Sequence, residues 1–198
     1  MTKKILAVLA GGILAGLFVM PESVYGNTGL LMDIGLCLLL FFVGIDLGSN
    51  KELFKNLKLV GFKVLAVPAA TILGSLLGGV LCSLIFKLDI FGSLAIASGM
   101  SWYTLSAIII TPISAELGTI AFLTNVFREI IAFVFIPIIA RRIGYLETIA
   151  AGAAISMDTG LPIITKNTSQ EVALISFISG VIISLSVTVL VPIFVGLI

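Results

Sequence analysis

Acidic and amide side chains lie inside a stretch of sequence that is apolar enough to cross a membrane. Glu129 is in the middle of residues 118–140, GTIAFLTNVFREIIAFVFIPIIA, with Arg128 beside it and Asn125 four residues before it. An ionisable group at bilayer depth costs at least about 2.5 kcal/mol, so a chain retains one there chiefly for function. Such groups bind charged solutes or pass protons, and the pattern therefore indicates a transport protein.

The spacing of these residues separates them into two helix faces. Asn125 and Glu129, at i and i+4, share one face, and we expect both to face a solvated cavity. Arg128 points about 100° away from Glu129 and does not simply neutralise it. Two roles are open for Arg128: it supports this site by holding backbone carbonyls or Asp158 in place, or it forms a structural ion pair with Asp158 that only locks two helices.

A second acid, Asp158, lies in another apolar stretch, 146–166, which we predict to be interrupted. Around the acid are small, hydroxyl-bearing or helix-breaking residues: Ser156, Thr159, Gly160 and Pro162. Two carboxylates with unwound backbone carbonyls would suit a cation, which could be an ammonium, a guanidinium, Na⁺ or H⁺. Alternatively, Asp158 caps the second half-helix.

Residues 90–113 form a further interrupted segment, with small and hydroxyl residues over 98–106. Its candidate binding or supporting residues are Ser98, Ser101, Trp102 and Thr104. An aromatic ring beside two acids can cover a cation by cation–π attraction. The alternative for Trp102 is a place in the aromatic belt at the membrane surface.

Composition fixes the class of protein. Of the 198 residues, 60% are hydrophobic and 11% are charged, whereas soluble domains are about a quarter charged. The net charge of +1 gives no support for nucleic-acid binding. The chain has no histidine, and its two cysteines are far apart in sequence. We therefore expect an all-α polytopic membrane protein without metal, cofactor or enzymatic activity.

The apolar runs predict about five transmembrane helices in a single transporter domain, 1–198, together with the two interrupted segments. The predicted spans are 5–20, 30–47, 59–86, 117–140 and 171–197. Cytoplasmic loops are rich in Lys and Arg. This rule places the N-terminus, the lysine-rich loop 51–63 and the pair Arg141 and Arg142 in the cytoplasm.

Three apolar segments lie between the lysine-rich loop 51–63 and the arginine pair, and both of these are predicted to be cytoplasmic. An odd number of crossings cannot connect two points on the same side, so one of the three segments does not cross. We predict that 90–113 enters and leaves from outside, and that 146–166 enters and leaves from inside. The two re-entrant segments would then have opposite orientation, and the C-terminus would lie outside. The rival geometry has both segments crossing fully as broken helices.

These motifs resemble the LysO family of lysine exporters. The matching stretches are LLLFFVGIDL at 38–47, ASGMSWYTLSAIIIT at 97–111, FREIIAFVFIPIIARR at 127–142 and ISMDTGLPIITK at 155–166. The resemblance implies export of L-lysine, and of its analogue thialysine, across the bacterial inner membrane. It also implies that the acids of the R-E-I-I and S-M-D motifs, here Glu129 and Asp158, take part in export.

Full-length members of that family carry a further membrane region before these motifs. We therefore expect a short membrane partner subunit, with homo-oligomerisation also open. The predicted mechanism is antiport of lysine against H⁺ or another cation such as Na⁺. Two alternatives are a cation/proton antiporter without an amino-acid substrate and a non-transporting scaffold subunit.

Overall fold

The structure, a computed structural model, describes residues 64–198 continuously. Before them it describes only positions 11, 12, 14–16, 18, 34, 38, 41, 42 and 45, each of which is helical. The predicted spans 5–20 and 30–47 otherwise lie outside the described residues, as do residues 59–63 of the third span. The orientation signals at 51–63 also lie outside them.

Between residues 66 and 195 the regular elements are all helical. They are α1 (Ala66–Phe86), α2 (Ile90–Ala97), α3 (Tyr103–Ile110), α4 (Ala115–Arg142), α5 (Glu147–Gly152), a 3-10 helix (Ala153–Met157), α6 (Leu161–Asn167) and α7 (Gln170–Val195). Three of these, α1, α4 and α7, are long and apolar enough to cross a membrane. They coincide with the three predicted spans that fall on described residues and have the length and apolar composition of spans; the total of five stays a prediction.

Side-chain caps define where the helices begin. Ser114 starts α4 and Ser169 starts α7, and each hydroxyl accepts a hydrogen bond from the backbone N–H three residues later. The Asp89 carboxylate does the same for α2, at 2.6 Å. Such caps satisfy backbone donors that have no partner within the helix. At the other end of α4, Arg141 and Arg142 lie in the last turn, where positive charge is favourable.

Both segments predicted to be interrupted are interrupted. In the first, a turn at 98–102 separates α2 from α3, so the irregular part is shorter than the predicted 98–106 and the helix resumes at Tyr103. In the second, the 3-10 helix and a turn at 158–160 separate α5 from α6. The predicted break at 156–162 extended too far, because Pro162 lies in the first turn of α6, where its missing N–H costs little.

The first interrupted segment touches α4 at two levels. Its ends lie near the start of α4, where Gly92 is beside Leu117 and Thr111 packs directly on Gly118. Its turn lies about two helical turns further along, where the Ser101 N–H donates to Asn125 Oδ1 at 2.8 Å. The segment therefore reaches the middle of α4 and returns to the level at which it began.

The second interrupted segment does the same from the opposite end of α4. Ile149 of α5 and Ile164 of α6 share one buried cluster with Ile136, in the C-terminal half of α4. The turn between them reaches Glu129, through the hydroxyl of Thr159. Both turns thus approach the middle of α4, one from each end.

The turn of the first segment touches the 3-10 helix of the second. The backbone N–H of Ala154 donates to the carbonyl oxygen of Met100 at 3.1 Å. Helix α7 packs along both segments: Ile183 and Val187 share a buried cluster with Met100, and Gly180 lies against Met157. The fold therefore brings the breaks of the two segments together beside the middle of α4, between α4 and α7.

Candidate functional site

A cavity of about 240 Å³ lies where the two turns meet. The lining residues come from both turns, from α4 and from α7: Ser101, Trp102, Tyr103, Thr104, Glu129, Ala154, Ile155, Met157, Asp158, Thr159 and Ser184. Two carboxylates, several hydroxyls and two aromatic rings thus surround one space that fits a small polar solute.

One hydroxyl joins the two acids. Thr159 Oγ1 lies 2.9 Å from Glu129 Oε1 and 3.3 Å from Asp158 Oδ1, and the Thr159 N–H donates to the same Asp158 oxygen at 2.5 Å. All three residues are half-buried. A threonine hydroxyl carries a single hydrogen, so it donates to one carboxylate at a time. The remaining carboxylate oxygens are available to a cation or a proton.

Asp158 is not a helix cap. The N-cap of α6 is Gly160, and no side chain caps that helix. The Asp158 carboxylate is held by the adjacent Thr159 instead. The alternative in which Asp158 only caps the second half-helix does not describe this structure.

The structure corrects the prediction that Asn125 faces the cavity. Asn125 is 2% exposed and does not line the cavity. Its Oδ1 accepts from Ser101, and its Nδ2 donates to the carbonyl oxygens of Ala121 at 2.9 Å and Ile96 at 3.3 Å. The amide is therefore occupied by bonds to backbone groups at and beside the turn 98–102, and it is not available to a solute in the cavity.

Arg128 also lies elsewhere than predicted. Its guanidinium donates to Ser75 Oγ at 2.9 Å, and Ser75 Oγ donates to the carbonyl oxygen of Ala97 at 2.8 Å. Within 64–198 it forms no ion pair with Asp158 or Glu129. Arg128 contributes instead to the walls of two other cavities, of about 390 and 350 Å³, beside α1. It supports the end of α2 through Ser75, because its helix face points away from Glu129.

The aromatic side of the cavity is formed by Trp102 and Tyr103. Both are half-buried, and the Tyr103 ring packs edge-to-face on Phe122 with centroids 5.5 Å apart. Trp102 lies at the turn, level with the middle of α4, rather than at either end of the helix. This position agrees with the predicted place of Trp102 in the cavity wall, and its role in binding a cation stays a prediction.

The remaining predicted residues divide into two groups. Ser101, Thr104 and Thr159 line the cavity. The others shape the turns: Ser98 donates to Ala95, Ser156 donates to the carbonyl oxygens of Ala153 and Ser176, Gly160 donates to Ile155, and Pro162 starts α6. Their roles in transport stay predictions.

Sequence reasoning missed four residues that line the cavity: Ala154, Ile155, Met157 and Ser184. Ser184 lies on α7, which we treated as a plain apolar span, and its hydroxyl contacts Met157 Sδ at 3.7 Å. A signal was present: Ser176, Gly180 and Ser184 are spaced i, i+4, i+8 and form one stripe of small residues.

The side chains of the cavity wall are of the types that bind small cations. Among the described residues no group of three or more His, Cys, Asp or Glu side chains could hold a metal ion. Two acids joined by a hydroxyl, beside aromatic rings, suit a monovalent cation or a proton. Paired interrupted helices that meet at mid-depth are the usual setting of a binding site in secondary transporters.

Apolar spanning helices, two interrupted helices and a polar cavity between them define a multi-spanning membrane protein of the transporter class. The chain belongs to the lysine exporter LysO family, whose family model matches residues 6–195.

Two curated relatives agree with this assignment. The chain is 35% identical over 160 residues to the lysine exporter LysO of Escherichia coli (strain K12), an alignment that covers 80% of this chain and 53% of that protein. It is 35% identical over 149 residues to a protein of Haemophilus influenzae named as a candidate lysine exporter, covering 74% of this chain and 75% of that protein. The chain thus spans about half the length of the E. coli relative. No solved structure matches it.

Proposed function

We propose that this chain is the membrane component of a secondary active exporter that moves L-lysine, and analogues such as thialysine, out of the bacterial cytoplasm in exchange for H⁺ or another cation. The observation that carries the proposal is the pair of half-buried acids, Glu129 and Asp158, joined by Thr159 in a cavity where two interrupted helices meet. Family membership supplies lysine as the substrate.

The acids would couple the two fluxes by competition. A lysine ammonium and a coupling cation are both attracted to the same negative pair, which cannot hold both well at once. Binding of the ammonium therefore favours release of the coupling cation, and the return of that cation favours release of lysine. The Thr159 hydroxyl would shift its single hydrogen bond between the acids as their charge changes.

The contacts along α4 support re-entrant rather than crossing geometry for both interrupted segments. Gly92 and Thr111 lie at the same end of α4, although the turn between them reaches Asn125. The second segment has the mirror arrangement about Glu129. With the charge rule, this favours an N-terminus in the cytoplasm, a C-terminus outside and an inner-membrane location.

Labelling of introduced cysteines tests that geometry. In a background without Cys37 and Cys82, cysteines at Lys87 and Pro112 flank the first interrupted segment. An impermeant thiol reagent added from outside intact cells should label both positions. Labelling from opposite sides would establish the crossing geometry.

Neutralising each acid tests the transport proposal. Glu129→Gln and Asp158→Asn keep side-chain shape but remove one charge from the pair, and we expect lysine efflux from proteoliposomes to fall at least about tenfold. Glu116→Gln is the matched control, since Glu116 is exposed at the start of α4. Wild-type efflux in both site variants would contradict the mechanism.

The same vesicles distinguish the alternatives. A cation/proton antiporter without an amino-acid substrate would show proton flux that depends on Na⁺ and not on lysine. A scaffold subunit would show neither flux, and cysteines at 129 and 158 would be sealed from water-soluble reagents. A short membrane partner stays a prediction, which co-purification from the native membrane would test.

A further inference from the structure

The N-terminus of α3 opens on the cavity without a cap. Trp102 occupies the N-cap position and has no side-chain hydrogen bond to the helix. Within 64–198, the backbone N–H groups of Tyr103, Thr104 and Leu105 donate to no residue, whereas the N–H of Ser106 donates to Trp102. Trp102, Tyr103 and Thr104 all line the cavity. Free N–H groups and the helix dipole make such an end favourable for an anion.

The hydroxyl of Ser101 provides a second and independent feature at the same place. Ser101 is 2% exposed, and its Oγ has no hydrogen-bond partner among the described residues. Buried hydroxyls are almost always paired, because an unpaired one loses its hydration without compensation. Ser101 is part of the cavity wall, so a solute bound against the turn can supply the partner that this hydroxyl lacks.

The backbone of the turn fixes the Ser101 hydroxyl in place. Ser101 has φ 76° and Met100 has φ 44°, a left-handed conformation that non-glycine residues rarely adopt. Asn125 holds the Ser101 N–H. Strain of this kind persists only where the surroundings enforce it, and it is found at ligand sites.

The dimensions of the cavity match an amino acid bound at both ends. A sphere of 240 Å³ is about 8 Å across. The side-chain nitrogen and the carboxylate carbon of L-lysine are six single bonds apart, which span about 7 Å when extended. The cavity wall contains two acids as well as residues 102–104 at the uncapped start of α3, so it offers partners for both an ammonium and a carboxylate.

We propose that the N-terminus of α3 and the Ser101 hydroxyl form a subsite for the α-carboxylate of the substrate, while Glu129 and Asp158 hold its side-chain ammonium. The inference rests on the proposed function and deepens it. The site would then select amino acids with a cationic side chain. It would discriminate against diamines and bare cations, because these ligands leave the Ser101 hydroxyl and the first N–H groups of α3 unpaired.

Binding of L-lysine and of 1,5-diaminopentane to the full chain in liposomes tests the proposal. The diamine is lysine without its carboxylate. Ser101→Ala should weaken lysine binding at least about tenfold, as expected for a lost hydrogen bond to a charged group, and should change diamine binding less than about twofold. Ser101→Gly removes the same hydroxyl and suits the left-handed backbone, so it gives the same result if the alanine variant folds poorly.

Ser93→Ala is the matched control, because Ser93 is also a buried serine with an unpartnered hydroxyl but does not line this cavity. It should leave both ligands unaffected. Equal losses for lysine and the diamine in Ser101→Ala and Ser101→Gly, or no loss for either, would overturn the subsite while leaving lysine export intact. A wild-type protein that neither binds nor transports lysine would overturn the proposed function and the subsite with it.

Discussion

The two interrupted segments share an architecture but differ in chemistry and in what holds them. The turn at 98–102 carries no acid; it is anchored by the amide of Asn125 and leads into α3, whose first N–H groups have no partner within 64–198. The turn at 158–160 carries Asp158 and follows a 3-10 helix that is anchored to α7 by close packing at Gly180 and by hydroxyl bonds with Ser176. The first turn therefore depends chiefly on the side chain of Asn125. The second depends chiefly on the close packing of the 3-10 helix against α7.

Removing the Asn125 amide should have the largest effect. Asn125→Ala removes three hydrogen bonds of the amide and leaves the Ser101 N–H without a partner in a buried place, at a cost of about 3 kcal/mol. The apparent Tm in detergent should drop. Trp102 is the chain's single tryptophan, so its emission should shift as the turn loosens.

Asn167→Ala serves as the control for that variant. Asn167 donates to the carbonyl oxygen of Ile163 near the end of α6, and is half-buried. We expect its loss to cost less than about 1 kcal/mol. Equal stability of the two variants would contradict the role of Asn125 as the anchor of the first turn.

Adding a methyl group at Gly180 should have an intermediate effect, confined to the second turn. A Cβ there would lie 2.5 Å from Met157 Cβ and 2.6 Å from Met157 N, so the turn must move. Gly180→Ala should cost about 1–3 kcal/mol by overpacking. Lysine efflux should fall because Asp158 moves with Met157, while the emission of Trp102 should change less than in Asn125→Ala.

Gly196→Ala is its counterpart, since a Cβ at Gly196 meets no atom closer than 3.4 Å. It should leave stability and efflux near those of the wild type. If Gly180→Ala shifted the Trp102 emission as strongly as Asn125→Ala, the two turns would behave as one unit and the comparison would fail.

The link from Arg128 to the first segment should matter least. Ser75→Ala removes the hydroxyl between the guanidinium and the Ala97 carbonyl, and should cost about 1 kcal/mol. Efflux should stay within about twofold, because neither residue lines the acidic cavity. Ser186→Ala, which removes only a bond to Ile182 within α7, gives the baseline. A loss of efflux as large as in Glu129→Gln would assign Arg128 to transport instead.

The sequence predicted the elements well because their signals are local. Long apolar runs indicate spans, and helix-breaking residues such as Gly160 and Pro162 indicate where α-helix stops. It also predicted that Glu129 and Asp158 would serve one site, and the structure places both in one cavity. That the acids bind substrate stays a prediction.

The contacts of individual side chains could not be predicted in the same way. The i, i+4 rule put Asn125 and Glu129 on one face, but that face is shared by both turns, and the first turn takes the amide. Arg128 found its partner 53 residues away, in α1. Ser184 lies in the apolar part of α7, where no charged residue marks it. These contacts depend on which segments pack together in the fold. A local sequence pattern does not carry that information.

The hydrogen bond between Ala154 and Met100 has a consequence for how such a protein can diverge. It joins main-chain atoms, so no particular side chain is needed to make it, and at 154 only proline lacks the donor. Both positions are buried and Met100 has φ 44°, so space and backbone conformation limit what can occupy them. Residues elsewhere in the cavity wall can be exchanged between lineages without loss of this joint.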